Sequence, residues 1–296
     1  MKIGFIGLGV MGLPMAKHIA NHSYDLMPYN RGETRRMQWQ QLVPQIPCQT
    51  DLISVLPRVD VVISCVGNDD DLRQLAYGDD GILSLCQPDV IWVDHSTCSL
   101  EVTTEMYQAC LQKKMHFIDA PVSGGQSGAE QGKLSIMVGG DIDPVKKVKP
   151  VMDCYAKQVT HIGHSGAGQL TKMVNQICLA GLIQSLAEGL NFAQEQNLDI
   201  DKVLSAIGHG AAQSWQMDNR AKTMADNLYD FGFAVDLMRK DLGICLEQAR
   251  KSHCSLPVTA LVDQFYSDIQ KMGYGHFDTS SLKLRLSPDY SPTKPK

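Results

Sequence analysis

Short apolar runs alternate with helical patterns over roughly the first half of the chain. The runs are residues 2–6, 60–66, 89–96, 115–122, 134–140 and 158–163. Each has the length of one buried strand, and the intervening segments, such as 11–21, carry apolar residues at helical spacing. Strands that alternate with helices predict an α/β domain over residues 1–164, with a doubly wound and mostly parallel sheet.

The pattern changes after residue 164. From residue 169 to about 194 there is no proline, and apolar residues cover most of the helical circumference. A helix that is apolar nearly all round is typical of a buried one. Further helical patterns follow at 241–251 and 256–273, without a convincing strand. We therefore predict a second, all-helical domain over 165–296, built around one long central helix. Its proline-rich, polar tail is expected to be frayed.

Composition limits the possible classes of protein. The chain has 296 residues, of which 44% are hydrophobic and 20% charged, as in ordinary soluble proteins. A net charge of -5 gives no electrostatic argument for binding nucleic acid or an anionic membrane. No apolar run has membrane-spanning length, and the first strand starts at Lys2, which leaves no room for a signal peptide. These features predict a cytoplasmic protein.

The metal-binding and redox residue types form no recognisable site. Nine cysteines are scattered without a C-x-x-C pair, so we expect them to be reduced and largely buried. Cys98 is the expected exception, because it lies near the candidate site. His161 and His164 have a ligand-like spacing, but no third or fourth ligand lies near them in the sequence. We expect no metal site.

A glycine triplet follows the first apolar run. Gly7, Gly9 and Gly12 stand between the strand at 2–6 and the helix at 11–21. In a dinucleotide site such glycines allow a tight turn, close approach of the pyrophosphate, and packing of the helix on the strand. The order predicts a Rossmann-type domain, although a glycine turn without a ligand is the alternative. The candidate cofactor residues here are Gly7, Leu8, Gly9, Val10, Met11 and Gly12.

The residues at the end of the second strand indicate which dinucleotide is bound. An acidic residue there would hold the ribose hydroxyl of NAD. This chain instead has Asn30 and Arg31, with two further arginines one turn later. Guanidinium groups suit a phosphate, so NADP(H) is favoured over NAD(H). The alternative is that the arginines form an ordinary solvated helix start. Pro28 conflicts with an interior strand.

Ligands of doubly wound sheets bind at the carboxyl ends of the strands. Residues there could contact the cofactor, namely Val66, Gly67, Asn68, Ser96 and Thr97, although small hydroxyl residues also cap helices. A second group could present a hydroxyl and backbone amides to a carboxylate, or could form a plain turn. It consists of Ser123, Gly124 and Gly125.

One polar patch stands out on the long helix. Lys172 is followed three and four residues later by Asn175 and Gln176, which places all three on the same face. The preceding glycine-rich segment would bring Lys172 against the first domain, and small-molecule sites often form between domains. The alternative is a lysine that reaches solvent from the helix start. Lys240 begins another helix and could be a simple exposed lysine.

Four segments together resemble the β-hydroxyacid dehydrogenase family. They are "GFIGLGVMGLPMA", "DAPVSGG", "GAGQLTKMVNQ" and "KDLGICLEQA", in the family's order and spacing. The resemblance implies that Lys172 is the catalytic lysine, that the loop at 123–125 binds the substrate carboxylate, and that Thr97 and Lys240 lie at the cofactor.

The resemblance also bears on the substrate-binding amide, the choice of cofactor and the oligomeric state. Many members place asparagine four residues after the lysine, whereas this chain has Asn175 at three and Gln176 at four, so either amide could bind substrate. The pair Asn30 and Arg31 looks like that of NADPH-using members. The resemblance further implies a homodimer or homotetramer.

The expected activity is hydride transfer between NADP(H) and a small, carboxylate-bearing β-hydroxy acid or semialdehyde. As the hydride moves, charge develops on the substrate oxygen, and Lys172 could act as general acid or base and stabilise that charge. One alternative is a non-catalytic dinucleotide sensor or scaffold on the same fold. Another is an imine reductase. The joint presence of Lys172 and the "SGG" loop favours the enzyme.

Overall fold

The computed structural model describes residues 1–286, so the predicted frayed tail lies outside the described residues except for its first residue, Leu286. The chain divides into two compact units, Met1–Lys172 and a second unit that begins at Met173. None of the helices within residues 1–286 combines the length and apolar character needed to cross a membrane. The domain limits 1–164 and 165–296 stay predictions.

The first unit contains one mixed sheet whose strand order is β2-β1-β3-β4-β5-β7-β6, with β8 paired to β7. Neighbouring strands from β2 to β5 are parallel, as are β7 and β8. Strand β7 runs antiparallel to β5 and β6. The predicted mostly parallel sheet is confirmed. The strands are β1 Lys2–Ile6, β2 Asp25–Tyr29, β3 Val61–Ser64, β4 Ile91–Asp94, β5 His116–Asp119, β6 Val122–Ser123, β7 Leu134–Gly139 and β8 Ala156–Gly163.

Helices cover both faces of this sheet. Adjacent residues of β3, Val62 and Ile63, belong to two different buried apolar clusters, because neighbouring side chains of a strand point to opposite faces. Burial on both faces explains why the strands read as continuous apolar runs. The helices are α1 Gly12–Ala20, α2 Glu33–Leu42, α3 Asp69–Tyr77, α4 Ile82–Leu85, α5 Leu100–Gln112, α6 Gly125–Glu130 and α7 Ile142–Met152, with a 3-10 turn at Leu56–Arg58.

The position of Pro28 corrects one expectation. We expected β2 to be an interior strand, in which proline would remove a ladder hydrogen bond. Strand β2 instead lies at the edge of the sheet, where Pro28 stands opposite Phe5 of β1. On its outer side β2 forms an isolated bridge between Tyr29 and Gln49, and the Pro28 carbonyl oxygen accepts from the N–H of Gln49 at 2.8 Å. The chain has no further strand on this side in the described residues, so a missing N–H at the edge costs no hydrogen bond within the sheet.

The second unit is helical, as predicted. Helix α8, Ala167–Glu195, starts in the first unit and continues into the second. Within the second unit, Ala180, Ile183 and Ala187 of this helix are buried in one apolar core. The other helices are α9 Ile200–Ile207, α10 Trp215–Ala225, α11 Val235–Lys251 and α12 Pro257–Lys271, followed by a 3-10 segment at Thr279–Leu286.

Helix α8 is less buried than expected. Val174, Leu182 and Phe192 are 59%, 45% and 65% exposed. The side chains of the helical core cover only the side that carries Ala180, Ile183 and Ala187. The apolar circumference therefore predicts more burial than one copy of the chain supplies.

The cysteines and histidines form no cluster in the described part of the chain. All nine cysteines lie there and none forms a disulfide; Cys98 is buried, whereas Cys178 and Cys254 are exposed. His161 Nε2 lies 2.8 Å from the carbonyl oxygen of Gly140. Within residues 1–286, no three His, Cys, Asp or Glu side chains form a group that could hold a metal ion.

Candidate active site

The strand order places the glycine loop at the point where the sheet changes direction. Strand β1 has β2 on one side and β3 on the other. The connections from these strands therefore leave in opposite directions and open a crevice at their carboxyl ends. Residues 7–11 follow β1 there, and residues 65–68 follow β3. The two loops touch, because Gly7 lies directly against the carbonyl group of Cys65.

The three glycines of the loop have different surroundings. Gly7 has φ +95°, and a side chain there would collide with the Cys65 carbonyl oxygen. A side chain at Gly12 would collide with the carbonyl oxygen of Gly7, because α1 packs closely on the loop. At Gly9, by contrast, no atom lies within 4 Å of the position a Cβ would take. Open space beside Gly9, at the N-terminus of α1, fits the pyrophosphate of a dinucleotide.

Asn30 connects the end of β2 to this loop. Its Oδ1 accepts a hydrogen bond from the backbone N–H of Leu8 at 2.9 Å, and its Nδ2 donates to the carbonyl oxygen of Gly32 at 3.0 Å. The uncharged amide therefore uses both of its polar atoms to hold backbone. A carboxylate could replace the first contact but not the second.

The arginines after β2 have two different environments. Arg36 Nη1 donates to the carbonyl oxygens of Asn30 and Arg31 at 3.0 and 2.7 Å, so it supports the backbone. The side chain of Arg31 is 78% exposed, its Nη1 donates to Gln74 Oε1 at 3.2 Å, and its Nη2 lies 4.0 Å from Asp71 Oδ1. Arg31 is therefore a cation at the surface, next to the end of β2.

The loop after β3 is fixed by hydrogen bonds. Asn68 Oδ1 accepts from the N–H of Asp71 at 2.9 Å and so caps α3. The N–H of Val66 donates to Ser96 Oγ at 2.9 Å, which joins this loop to the one after β4. Gly67 lies close to the carboxylate of Asp71, which a side chain at position 67 would approach to 2.8 Å. All three predicted cofactor residues of this loop thus lie at the crevice.

A buried carboxylate organises the ends of β3 and β4. Asp94 Oδ1 accepts from the hydroxyl groups of Ser64 and Ser96 at 2.6 and 2.7 Å, and Trp92 Nε1 donates to Ser64 Oγ at 2.8 Å. Burial raises the pKa of Asp94 to about 6, while the hydroxyl donors lower it. These contacts fix Ser96, which in turn holds the loop after β3.

A second buried carboxylate holds the start of α8. Asp119, at the end of β5, accepts from the N–H groups of Gly166 and Gln169 at 2.7 and 3.0 Å. Side chains at Gly139 or Gly168 would clash with Asp119, so both glycines allow the close approach. Burial raises the pKa of Asp119 to about 6, and the backbone donors oppose that rise. The long helix is thereby anchored to the sheet.

Gln169 joins this helix to the loop after β4. Its Nε2 donates to the carbonyl oxygen of Ser96 at 2.7 Å, and its Oε1 accepts from the N–H of Cys98 at 3.2 Å. The side chain is 1% exposed. The amide therefore contacts the backbone on both sides of Thr97, the residue predicted to lie at the cofactor.

Lys172 lies against the strand that leads to the predicted carboxylate loop. Its Nζ donates to the carbonyl oxygen of Val122 at 2.8 Å, and the residue is only 8% exposed, so it is not turned to solvent. Val122 and Ser123 form β6. Gly124 and Gly125 follow with φ of +126° and +63°, a region that favours glycine. The first unit thus brings the amine and this loop together.

The remaining predicted residues form a network inside the second unit. Gln176 is 1% exposed, and its Nε2 donates to Asp241 Oδ2 at 2.7 Å. Asn175, which is half-buried, donates through Nδ2 to Gln176 Oε1 at 2.7 Å. Lys240 does not begin its helix as predicted, because α11 begins at Val235. Its side chain is 25% exposed, and Nζ lies 3.2 Å from Asp241 Oδ1. Of the two amides, Gln176 is held within the protein and Asn175 has the exposed surface.

Comparison with known proteins identifies the family. The family model described as the NAD binding domain of 6-phosphogluconate dehydrogenase matches residues 2–163. The model described as NAD-binding of NADP-dependent 3-hydroxyisobutyrate dehydrogenase matches residues 166–285. The chain belongs to the β-hydroxyacid dehydrogenase family.

Individual members of the β-hydroxyacid dehydrogenase family cover nearly the whole chain. An uncharacterized oxidoreductase of Shewanella frigidimarina is 50% identical over 98% of this chain and 99% of its own. The Arabidopsis thaliana protein named "Probable 3-hydroxyisobutyrate dehydrogenase-like 1, mitochondrial" is 36% identical over 96% of this chain and 85% of its own. The crystal structure of 3-hydroxyisobutyrate dehydrogenase from Salmonella typhimurium is 27% identical, covers 96% of this chain and 99% of its own, and superposes with a TM-score of 0.85.

These relationships confirm the predicted family, fold class and enzyme class. The protein is an NAD(P)-dependent oxidoreductase that transfers a hydride between the nicotinamide and a β-hydroxy acid, and its substrate is a small molecule. The roles of the individual site residues stay predictions.

Two residues of the site were missed by the sequence analysis. Asp119 lies in the "DAPV" segment and Gln169 lies three residues before Lys172, so both stand in segments already singled out. Their partners, at Gly166 and Ser96, are 47 and 73 residues away in the sequence. A buried acid at a strand end and a glutamine at a helix start were the available signals, but neither shows what it contacts.

Proposed function

We propose that the protein is an NADPH-dependent reductase of a small aldehyde that bears a carboxylate, and that it also oxidises the corresponding β-hydroxy acid. One observation carries the proposal: the buried amine of Lys172 is held on Val122, next to the loop of Ser123, Gly124 and Gly125. A cation that can exchange a proton and a carboxylate-binding loop are the two elements such a substrate requires.

Lys172 is the general acid in the reducing direction. When bound, the cofactor supplies the hydride. As the carbonyl carbon of the substrate receives it, negative charge develops on the carbonyl oxygen, and the Lys172 ammonium stabilises this charge and donates a proton. In the oxidising direction the neutral amine accepts the proton of the alcohol. The hydrogen bond to Val122 keeps Nζ at one position beside Ser123.

The loop at 123–125 recognises the carboxylate. Ser123 offers a hydroxyl group, and the left-handed backbone at Gly124 and Gly125 allows the chain to turn its amides toward an anion. Buried donors left without an acceptor cost about 1–3 kcal/mol each. Substrates without the carboxylate should therefore be much poorer.

The cofactor is NADP(H) rather than NAD(H) in this proposal. Arg31 is an exposed cation at the end of β2, suited to a 2′-phosphate, and Asn30 adds no negative charge there. The open backbone at Gly9 supports binding of the pyrophosphate shared by both cofactors. Thr97 and Lys240 as cofactor residues, and Asn175 as a substrate residue, stay predictions.

The test is a substrate panel. NADPH consumption is measured with glyoxylate and with succinic, tartronate and methylmalonate semialdehydes and sulfolactaldehyde, each compared with an aldehyde that has methyl in place of its acidic group. We expect turnover with at least one acid and a loss of most of kcat/KM for its uncharged counterpart. Equal efficiency with the uncharged aldehydes would contradict the role of the loop. Absence of turnover with every acid, despite tight NADPH binding, would favour the non-catalytic alternative.

We also propose that the protein is a homodimer or homotetramer. Helix α9 has no buried residue in the single chain, and Val174, Leu182 and Phe192 of α8 expose apolar surface. Apolar surface of this kind is typical of a subunit interface. Sedimentation of the protein and of its Phe192→Asp variant tests this, and a monomeric parent protein would contradict it.

A further inference from the structure

The side chain of Gln169 has an unusual set of partners. Its two amide atoms hold the carbonyl group of Ser96 and the N–H of Cys98, and its own backbone N–H donates to Asp119. The orientation of the amide is fixed by these partners, because only nitrogen can donate to a carbonyl and only oxygen can accept from an N–H. One residue therefore connects the start of α8 with the ends of β4 and β5.

The contacts of Gln169 are buried and therefore difficult to replace. Ser96 and Cys98 are 2% and 0% exposed, so water does not substitute readily for the amide. A buried polar group without a partner costs free energy, and the backbone at 96–98 would move to recover a hydrogen bond. Such a movement would displace Thr97, which lies between the two held groups.

Gln169 and Lys172 are three residues apart on one rigid helix, and so lie on the same side of it. The first holds the loop of Thr97, and the second places its amine on Val122. Less than one turn of helix α8 separates the residue that holds the Thr97 loop from the residue that carries the amine. The helix backbone therefore fixes the distance between the loop and the amine.

We propose that Gln169 is a positioning residue for hydride transfer, which fixes the Thr97 loop relative to the Lys172 amine. The inference rests on the proposed function, in which Thr97 lies at the cofactor and Lys172 at the reacting oxygen. Reaction rates fall steeply when reacting groups are misplaced, and a displacement of about 1 Å can cost about a hundredfold. Gln169 itself touches neither cofactor nor substrate in this proposal.

Gln169→Met is the first test, because methionine keeps the size of the side chain and removes both hydrogen bonds. Hydride transfer is followed in a single turnover of NADPH, with and without deuterium at the transferred position. We expect the rate constant of this step to fall about a hundredfold, its isotope effect to become more dependent on temperature, and the Kd of NADPH to change by less than a few-fold. An unchanged hydride step would overturn the proposal.

Gln169→Glu separates hydrogen bonding from packing. A protonated glutamic acid can donate to the Ser96 carbonyl and accept from the Cys98 N–H, whereas the ionised form cannot donate. The titratable groups around Gln169 are Asp119, which accepts from its backbone N–H, and Cys98, whose N–H donates to its Oε1. Asp94, which accepts from Ser96 Oγ, and Lys172 on the same helix are the next. Because these groups are shared with the parent protein, the hydride rate is expressed as a ratio to the parent rate at each pH.

We expect this ratio to be near one at low pH, where the glutamic acid is protonated, and well above that of Gln169→Met. A ratio that stays near one at all pH values, with Gln169→Met slow, supports the proposal equally, since it means that the buried acid keeps its proton. Equal losses in both variants at every pH would show a packing role and overturn it.

Gln184→Met is the matched control. Gln184 is also a buried glutamine of α8, 7% exposed, and its Nε2 donates to Glu188 Oε1 on the same helix at 2.7 Å. Its substitution should leave the hydride step unchanged. Thermal unfolding of each variant confirms that rates are compared on folded protein. Lys172→Ala, measured in the same assay, tests the proposed function alone. A failure of the proposed function can therefore be distinguished from a failure of the positioning role of Gln169.

Discussion

The two ends of the site are built by opposite means. At the cofactor end, between β1 and β3, the loop depends on glycine. A side chain at Gly7 or Gly12 would collide with backbone, whereas the space beside Gly9 is open. At the catalytic end, around β4, β5 and the start of α8, it depends on buried side chains such as Asp119 and Gln169. The first arrangement leaves room for a ligand, whereas the second anchors the start of α8, which carries Lys172.

This difference predicts two kinds of failure. Substitutions at the cofactor end should change binding or folding, because they fill space. Substitutions at the catalytic end should change the rate, because they release groups that must stay in position. Variants that affect both properties equally would remove the distinction between the two ends.

The largest effect is expected for Lys172→Ala. If Lys172 donates the proton and stabilises the developing charge, turnover should fall on the order of a thousandfold or more. The Kd of NADPH should stay nearly unchanged, because Lys172 Nζ donates to Val122 of β6, whereas the glycine loop follows β1. Both quantities are measured on one preparation, by steady-state kinetics and by fluorescence titration of NADPH.

Lys172→Arg sharpens this test. Arginine keeps the positive charge but does not readily release a proton, so part of the electrostatic stabilisation should survive while proton transfer fails. The variant should therefore lie between the parent and Lys172→Ala. Near-normal turnover of Lys172→Ala on a confirmed substrate would refute the assignment and make Lys240 the next candidate.

The same contrast explains what the sequence could predict. The glycine loop was predictable because its signal is local: a strand, three glycines at fixed spacing, and a helix within twenty residues. The anchor of α8 was not, because Asp119 and Gly166 are 47 residues apart and meet only after the sheet has formed. The spacing of residues in the sequence indicates tight turns and close packing of neighbouring segments. It does not show which distant backbone groups form hydrogen bonds with a buried side chain.

Two errors have the same origin. Pro28 conflicted with an interior strand because the sequence does not show which strand lies at the edge of a sheet. The apolar surface of α8 predicted a fully buried helix, although Phe192 is 65% exposed. In both cases the residue type was informative, but the sequence does not show which residues surround it in the folded protein.

The next largest effect should separate two glycines of one loop. Gly12→Ala would drive a methyl group into the backbone of Gly7, which cannot move away easily, and should lower the free energy of unfolding by about 3 kcal/mol. Gly9→Ala meets no atom within 4 Å and should leave stability unchanged while weakening NADPH binding. Urea unfolding and NADPH titration of both variants provide the measurements. Loss of stability in Gly9→Ala, or unimpaired binding, would contradict the open space at Gly9 as the phosphate site.

A smaller effect is expected on the choice of cofactor. If Arg31 makes the proposed charge-assisted contact to the 2′-phosphate, Arg31→Ala should reduce the preference for NADPH over NADH roughly tenfold to a hundredfold. Adding Asn30→Asp should reverse the preference, since the carboxylate can still accept from Leu8 but repels a phosphate. The ratio of the two Kd values is the readout, with Arg35→Ala as the nearby control. Tighter binding of NADH by the unmodified protein would show that the NADP assignment is wrong.

The smallest effect concerns the acid sensitivity of the catalytic end. His95 lies between β4 and β5, where one ring nitrogen lies 2.6 Å from the Ala120 carbonyl oxygen and the other 2.8 Å from the Tyr155 hydroxyl. Burial lowers the pKa of His95 from 6.5 to about 4. Between pH 6.5 and pH 4, His95 is therefore protonated in the unfolded chain but neutral in the folded chain. The contribution of His95 to the free energy of unfolding is lost as the pH falls through this range.

The expected loss from His95 is about 2 kcal/mol between pH 7 and pH 5. Asp94 and Asp119 act in the opposite direction, because burial raises their pKa to about 6 and folding therefore favours their protonated forms. The net change in the free energy of unfolding of the parent protein between pH 7 and pH 5 is thus smaller than the change that His95 alone would cause. His95→Gln keeps a donor and an acceptor but does not titrate, so its free energy of unfolding should hold constant or rise as the pH falls from 7 to 5, while that of the parent rises less or falls. Urea unfolding at both pH values checks this. Identical pH dependence in the two proteins would mean that His95 titrates normally in the folded state, and that its buried hydrogen bonds are not maintained in solution.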